Sequence, residues 1–236
     1  MTVPLIDVTD VHFRYGERDV LNGITLIGSE RRIGVVGRNG SGKSTLARVM
    51  AGLVAPNRGE VRIAGCQVLQ DRKTAISTVG ILFQNPDHQI IFPTVGEEIG
   101  FGLRQLGQSK SEAQTQTRAM LASFGREAWL DRPVSALSQG QRHLVCLMAV
   151  LAMQPKVIIL DEPFAGLDIP TIRTLEGYLS RLDQTLVHIT HYPTKLEGFE
   201  RVIWIDGGVI LRDGRPQEVL PVFLSAMERD DAGADL

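Results

Sequence analysis

Cysteine is almost missing from this sequence. Cys66 and Cys146 are the only two in 236 residues, too few for a disulfide framework and without the paired spacing of a zinc site. Both lie in apolar stretches, so buried free thiols in a reducing compartment are expected. A charge excess is missing as well. The net charge is −2 and the isoelectric point about 6.2, so no global field gathers nucleic acid or anionic lipid, and no nucleic-acid partner is expected. Long apolar runs are lacking too. The longest, Leu144 to Met153, has about half the length that a bilayer-spanning helix needs. The start Met1-Thr2-Val3-Pro4 carries no basic segment followed by an apolar one, which argues against a secretory signal. There is no internal repeat and no low-complexity tract. The composition that remains, 43% hydrophobic and 22% charged, is that of a globular protein with a sizeable core.

Short β-type segments fill the first part of the chain: 6–8, 11–13, 23–27, 31–36, 59–63 and 79–83. From Val95 to about Met153 the pattern turns helical. Ser109 and Glu112 form a capping box ahead of a helix whose Ala113, Met120, Leu121 and Phe124 share a face. Leu144, Leu147, Met148 and Leu151 mark a second core-facing helix by their i, i+3, i+4, i+7 spacing. Alternation of strand and helix resumes with 157–160, a helix from about Pro170, and 185–190. Asp206-Gly207-Gly208 then joins 202–205 to 209–212 as a hairpin. A helix over 216–227 follows, and the acidic residues 228–236 read as a fraying tail. The pattern predicts an α/β fold interrupted by a helical insert.

Residues 37–44 read Gly-Arg-Asn-Gly-Ser-Gly-Lys-Ser, between an apolar strand and the start of a helix. Glycines at Gly37, Gly40 and Gly42 let the backbone curl around an anion with its N–H groups turned inward. Asn39, Ser41 and Thr45 complete the cradle. Lys43 supplies a point charge to β- and γ-phosphates and Ser44 a hydroxyl to Mg²⁺, while the helix aims its positive end at the phosphates. Strand 157–160 ends in Asp161 and Glu162. Ligands of parallel sheets lie beyond the carboxyl ends of the strands, so Asp161 is expected beside the phosphate loop, holding Mg²⁺, and Glu162 beside the attacking water as general base.

A third motif narrows the class. Leu137-Ser138-Gln139-Gly140-Gln141 resembles the signature of the ABC ATPases, usually L-S-G-G-Q, with glutamine in place of the first glycine. Other positions are similar to that family in order and spacing. Gln84 resembles the Q-loop glutamine that contacts Mg²⁺ and water. Asp168, in Ala165-Gly166-Leu167-Asp168, resembles the interface aspartate of the D-loop. His191 resembles the switch histidine that reaches the γ-phosphate, whereas His188 reads as a structural residue within its strand. Tyr15 resembles the aromatic that stacks on adenine. The resemblance spans residues 3 to about 215.

The resemblance implies a P-loop NTPase core, with a RecA-like mixed sheet and an N-terminal antiparallel β region, plus an inserted helical subdomain. A single domain over 1–227 is expected, its core at 1–94 and 156–227 and the insert at about 95–155. ATP and Mg²⁺ are the implied cofactors, and hydrolysis the activity. In the family, Ser138, Gly140 and Gln141 complete the partner's site, so the resemblance implies a homodimer, or a heterodimer with a related ATPase.

Residues 84–102 resemble the corresponding stretch of energy-coupling-factor ATPases, which power vitamin and metal-ion uptake. That implies a transmembrane coupling protein, a substrate-binding membrane protein, and a place on the inner face of the cell membrane. Ile90, Ile91, Phe92 and Phe101 are then expected to line the groove for the coupling helix. The short C-terminal region favours biotin over cobalt or nickel as cargo. A soluble ATPase of iron–sulfur cluster assembly, or the ATPase of another ABC importer or exporter, remains the alternative.

Overall fold

The structure, a computed structural model, describes residues 3–231. It begins with β1 (Ile6–Tyr15) and β2 (Arg18–Gly28), an antiparallel pair. The expected segments 6–8 and 11–13 are one strand, not two. Asp10 sits at φ 49° and the register shifts between Val8 and Val11, so a bulge bends the strand without ending it. Next come β3 (Arg32–Val36), α1 (Lys43–Met50), β4 (Arg58–Ile63) and β5 (Cys66–Gln67). Then α2 (Arg72–Thr78), capped by Asp71, precedes β6 (Val79–Leu82). Neither β5 nor α2 has a legible pattern in the sequence, because both are short and lie at the surface.

The insert holds α3 (Val95–Gln105), α4 (Lys110–Ser123) and α5 (Gln139–Ala152). The capping box of Ser109 and Glu112 is present. Alternation returns with β7 (Val157–Asp161), α6 (Ile169–Leu179) and β8 (Thr185–Ile189). The chain closes with the hairpin β9 (Arg201–Asp206) and β10 (Val209–Gly214), then α7 (Pro216–Asp231). Helix α7 runs four residues beyond the expected end at Met227. The remainder of the expected tail, 232–236, lies outside the described residues.

Two sheets organise these elements. A four-stranded antiparallel sheet runs β2-β1-β4-β5, and a six-stranded mixed sheet runs β10-β9-β3-β8-β7-β6. In the second, β9, β3, β8, β7 and β6 are parallel, and β10 is the antiparallel edge. Helix α1 has six of its eight residues buried and packs between the sheets. Residues of β7 alternate sides: Val157 and Ile159 join the core around α1, while Ile158 and Leu160 join the one formed with α3, α5 and α6. Burial on both faces explains why β7 reads as a continuous apolar run. A third cluster seats Val219, Leu220 and Phe223 of α7 on Val202 and Trp204 of β9. No helix among the described residues is long and apolar enough to cross a membrane.

Four adjacent parallel strands, β3, β8, β7 and β6, end on the same edge of the sheet. Residues 37–43, 190–191, 161–162 and 83–84 therefore emerge side by side, which is the consequence that matters for function.

Candidate functional site

A cavity of about 490 Å³ opens at that edge, lined by Tyr15, Asn39, Gly40, Gly42, Ser44, Thr45 and the side chains described next. Gly40 and Gly42 adopt φ of 77° and 105°, which turns the loop back on itself. Gly42 has a second constraint: a Cβ there would lie 2.8 Å from the Val20 carbonyl. Lys43 is 5% exposed, and its Nζ donates to the carbonyls of Gly37 (2.8 Å) and Arg38 (2.6 Å). The lysine thus props the loop open from inside. Burial lowers its pKa, opposed by Glu162 and Asp161. Ser41 lies buried beneath the loop, and its Oγ has no hydrogen-bond partner.

Beneath the first turn of α1, Ser44 Oγ donates to Asp161 Oδ1 (3.0 Å) at the end of β7. Burial raises the Asp161 carboxyl, against the Ser44 hydrogen bond and the charges of Arg48 and Lys43. A divalent cation carried by the ligand's phosphates would relieve that desolvation. A hydroxyl, a carboxylate and the Gln84 amide form an oxygen donor set suited to Mg²⁺, which usually takes only one or two carboxylates and keeps its water.

Glu162 follows in the left-handed region, at φ 51°, with its N–H donating to Ile189 O (3.0 Å). For a non-glycine residue this is strained backbone. It aims the carboxylate into the cavity, against Nε2 of His191. Burial raises Glu162, with Lys43 pulling the other way; burial and then Lys43 lower His191. Both shifts make ionisation harder than in water and share one cause, the burial of the pair at the foot of the cavity. Gln84 enters from the end of β6. Tyr15 stands at the mouth with half of its surface exposed, edge-on to Phe13 at 4.7 Å. An exposed ring there offers a stacking face to a flat heterocycle.

Residues 37–45, Tyr15, Gln84, Asp161, Glu162 and His191 are therefore brought together. Ser138, Gly140 and Gln141 are not. They line a different cavity, of about 240 Å³, with Arg126, Trp129 and Thr171. Ser138 caps α5: Ser138 Oγ accepts from Gln141 N (3.3 Å), and Gln141 Oε1 accepts from Ser138 N (3.1 Å). Asp168 caps α6, accepting from Thr171 N at 2.9 Å. His188 is confined to the core, its ring between Phe164 and Phe199.

Arg18 and Val20 also line the first cavity. They escape a sequence reading because they belong to no motif and approach the loop only through β2. The expected groove residues divide. Ile91 and Phe101 line a groove of about 480 Å³ between the sheet and the insert, with Ile81, Phe83 and Val150. Phe92, its ring 4.9 Å from that of Phe101, faces an adjoining cavity beside α4 that Phe101 also lines, and Ile90 packs into the helical core. Buried Glu98 pins this turn: its Oε2 accepts from the N–H of both Ile91 and Phe92 (2.9 Å each).

A family model described as ABC transporter matches residues 22–165. The biotin transport ATP-binding protein of Rhodobacter capsulatus is 50% identical over 223 residues, 94% of this chain and 95% of that one. The energy-coupling factor transporter ATP-binding protein of Methanocaldococcus jannaschii is 37% identical over 224 residues, 91% and 80% of the two chains. Among solved structures, a dimeric ATP-binding cassette in a post-hydrolysis state with ADP and Pi superposes with a TM-score of 0.78. It is 25% identical, over 89% of this chain and 98% of that one.

Proposed function

The chain belongs to the ABC transporter family, as an ATP-hydrolysing subunit of the energy-coupling-factor type, and from that premise we propose that it closes as a dimer on two MgATP to drive vitamin uptake, biotin ahead of cobalt or nickel. The cargo follows the 50% identical relative named for biotin transport. The named relatives serve transport, which favours an importer over iron–sulfur assembly. One observation carries the two-chain reading: Ser138 and Gly140 line a cavity separate from that of Lys43 and Glu162. A second chain, the same or a related one, supplies the missing signature.

In each site the loop amides and Lys43 bind the β- and γ-phosphates, and Tyr15 takes the adenine. Ser44, Asp161 and Gln84 would hold Mg²⁺, which screens the phosphate charge. Glu162 orients a water and takes its proton as the new O–P bond forms. The γ-phosphoryl bond to ADP breaks, and His191 donates to the departing phosphate. The signature residues brought by the other protomer hold the γ-phosphate, so loss of that phosphate loosens the dimer. The apolar groove at Ile91 and Phe101 receives a helix of the transmembrane partner. That partner holds the subunit on the inner face of the membrane. The insert at about 95–155 and the core at 1–94 and 156–227 act as one domain, since β6, β7 and the insert share an apolar core.

Glu162→Gln tests the two-chain site. It retains the fold but removes the proton acceptor, so hydrolysis falls by roughly 10²-fold or more and a dimer accumulates with MgATP in size-exclusion light scattering. A monomer at saturating MgATP refutes the two-chain site. Uptake of labelled biotin by cells expressing the chain with its membrane partners tests the cargo; cobalt uptake without biotin uptake reverses the preference.

A further inference from the structure

The first turn of α5, which carries the signature, is tied to the loop that carries Gln84. His143 does most of the tying. Its side chain is fully buried, and its two ring nitrogens face two carbonyls: Gln84 O at 3.1 Å from Nε2, and Gln139 O at 3.3 Å from Nδ1. Gln139 O lies one turn back and is the ordinary acceptor for the His143 backbone N–H. With Gln139 O already engaged by the backbone, the ring hydrogen is placed on Nε2, donating to Gln84. Beside it, Arg142 forms an ion pair with Asp87, Nε to Oδ1 at 3.0 Å without the angle of a hydrogen bond, and Arg142 Nη1 donates to Leu137 O at 2.9 Å. One arginine thus joins the loop to the residue before Ser138.

The loop itself is stiff, so a hold at two points moves all of it. Asn85 Oδ1 accepts from Asp87 N (2.9 Å), Gln89 Oε1 accepts from Phe83 N (3.2 Å), and Pro86 is buried. The Gln84 side chain lines the cavity with Lys43, Glu162 and His191, while its carbonyl is held by α5.

We propose that His143 is a positioning residue for Gln84, and that with Arg142 it joins residues 84–89 to the signature turn so that Gln84 and Ser138 move as one piece. The proposal rests on the reading of Gln84 as a group that contacts the reacting phosphate and its metal. Nucleotide binding at the loop does not depend on His143; placement of Gln84 does. A displacement of a reacting contact by a fraction of an ångström is enough to slow chemistry without weakening binding.

The test compares His143→Leu, His143→Gln and Gln84→Ala in the full chain. Leucine fills the space without a donor; glutamine restores an N–H. His143→Leu is expected to lower kcat about tenfold with KM for ATP within about twofold, and His143→Gln to recover most of the loss. In the nucleotide-free chain, amide hydrogen exchange over residues 83–92 speeds up in His143→Leu and stays at the wild-type rate in His143→Gln. In a Gln84→Ala background, His143→Leu should cost no further activity, because it acts through Gln84. Wild-type kcat and exchange in His143→Leu overturn the proposal, and so does a full additive loss in the double variant. If Gln84→Ala itself keeps wild-type kcat, the reading of Gln84 fails and the proposal falls with it.

Discussion

Gly140 is glycine for one of two reasons, or both, and a double substitution separates them. A Cβ on Gly140 would lie 2.6 Å from Cγ2 and 3.1 Å from Oγ1 of Thr171. Thr171 has little room to retreat, because its N–H is bonded to the Asp168 cap of α6. Rotation about its χ1 exchanges one close atom for the other. Overpacking of this kind costs about 1–3 kcal/mol, offset by about 0.5–1 kcal/mol for replacing glycine in a helix. Gly140→Ala should therefore be about 1 kcal/mol less stable than wild type in urea unfolding without nucleotide. Thr171→Ala removes both close atoms and leaves a Cβ at 3.4 Å, an ordinary contact, so the double variant recovers the overpacking loss. Its activity carries the second question. If Gly140 must also let the partner's phosphate approach the backbone, the stable double variant still loses roughly 10²-fold in kcat. Wild-type stability of Gly140→Ala refutes the packing argument, and full activity of the double variant refutes the phosphate approach.

Two further outcomes follow from the site and the core. His188 is buried between aromatic rings, and burial, with Lys195, lowers its pKa from 6.5 to about 4. The unfolded chain takes the proton near 6.5 and the folded chain only near 4, so stability is full above 6.5 and falls as the pH drops toward 4. The loss amounts to about 2 kcal/mol by pH 5. Between pH 7 and pH 5, urea titrations should show a stability loss about 2 kcal/mol smaller in His188→Phe than in wild type. Tyr15→Ala should weaken ATP binding by about five- to a hundredfold, as expected for a lost base–aromatic stack; Tyr15→Trp should keep it in an equilibrium titration, and equal binding by all three would leave Tyr15 a packing residue.

Several parts of this molecule are written in contiguous residues. The loop 37–44, the carboxylates that end β7 and the capped turn at Ser138 each need particular residue types at fixed spacing, because a phosphate is only as large as one turn of backbone. Strands buried on both faces and helices with a buried stripe are legible for the same reason, since their periods are local. Boundaries were less so: the Asp10 bulge merges two apparent strands into one, and α7 continues past Met227.

Residue order alone carries the phosphate-loop, acidic and signature motifs and the strand or helix beside each of them. Which of these groups meet is set by packing. Arg18 reaches the cavity by the path of β2, and His143 reaches Gln84 across 59 positions of chain. Adjacent Ile90 and Ile91 part ways, one into the helical core and one into the groove, and Glu98, seven residues beyond Ile91, ties that turn to α3. The sheet order puts Lys43, Glu162, His191 and Gln84 at one edge and leaves Ser138 and Gly140 at another. Such neighbours are set by how elements pack, and packing joins residues whose separation along the chain carries no period to read.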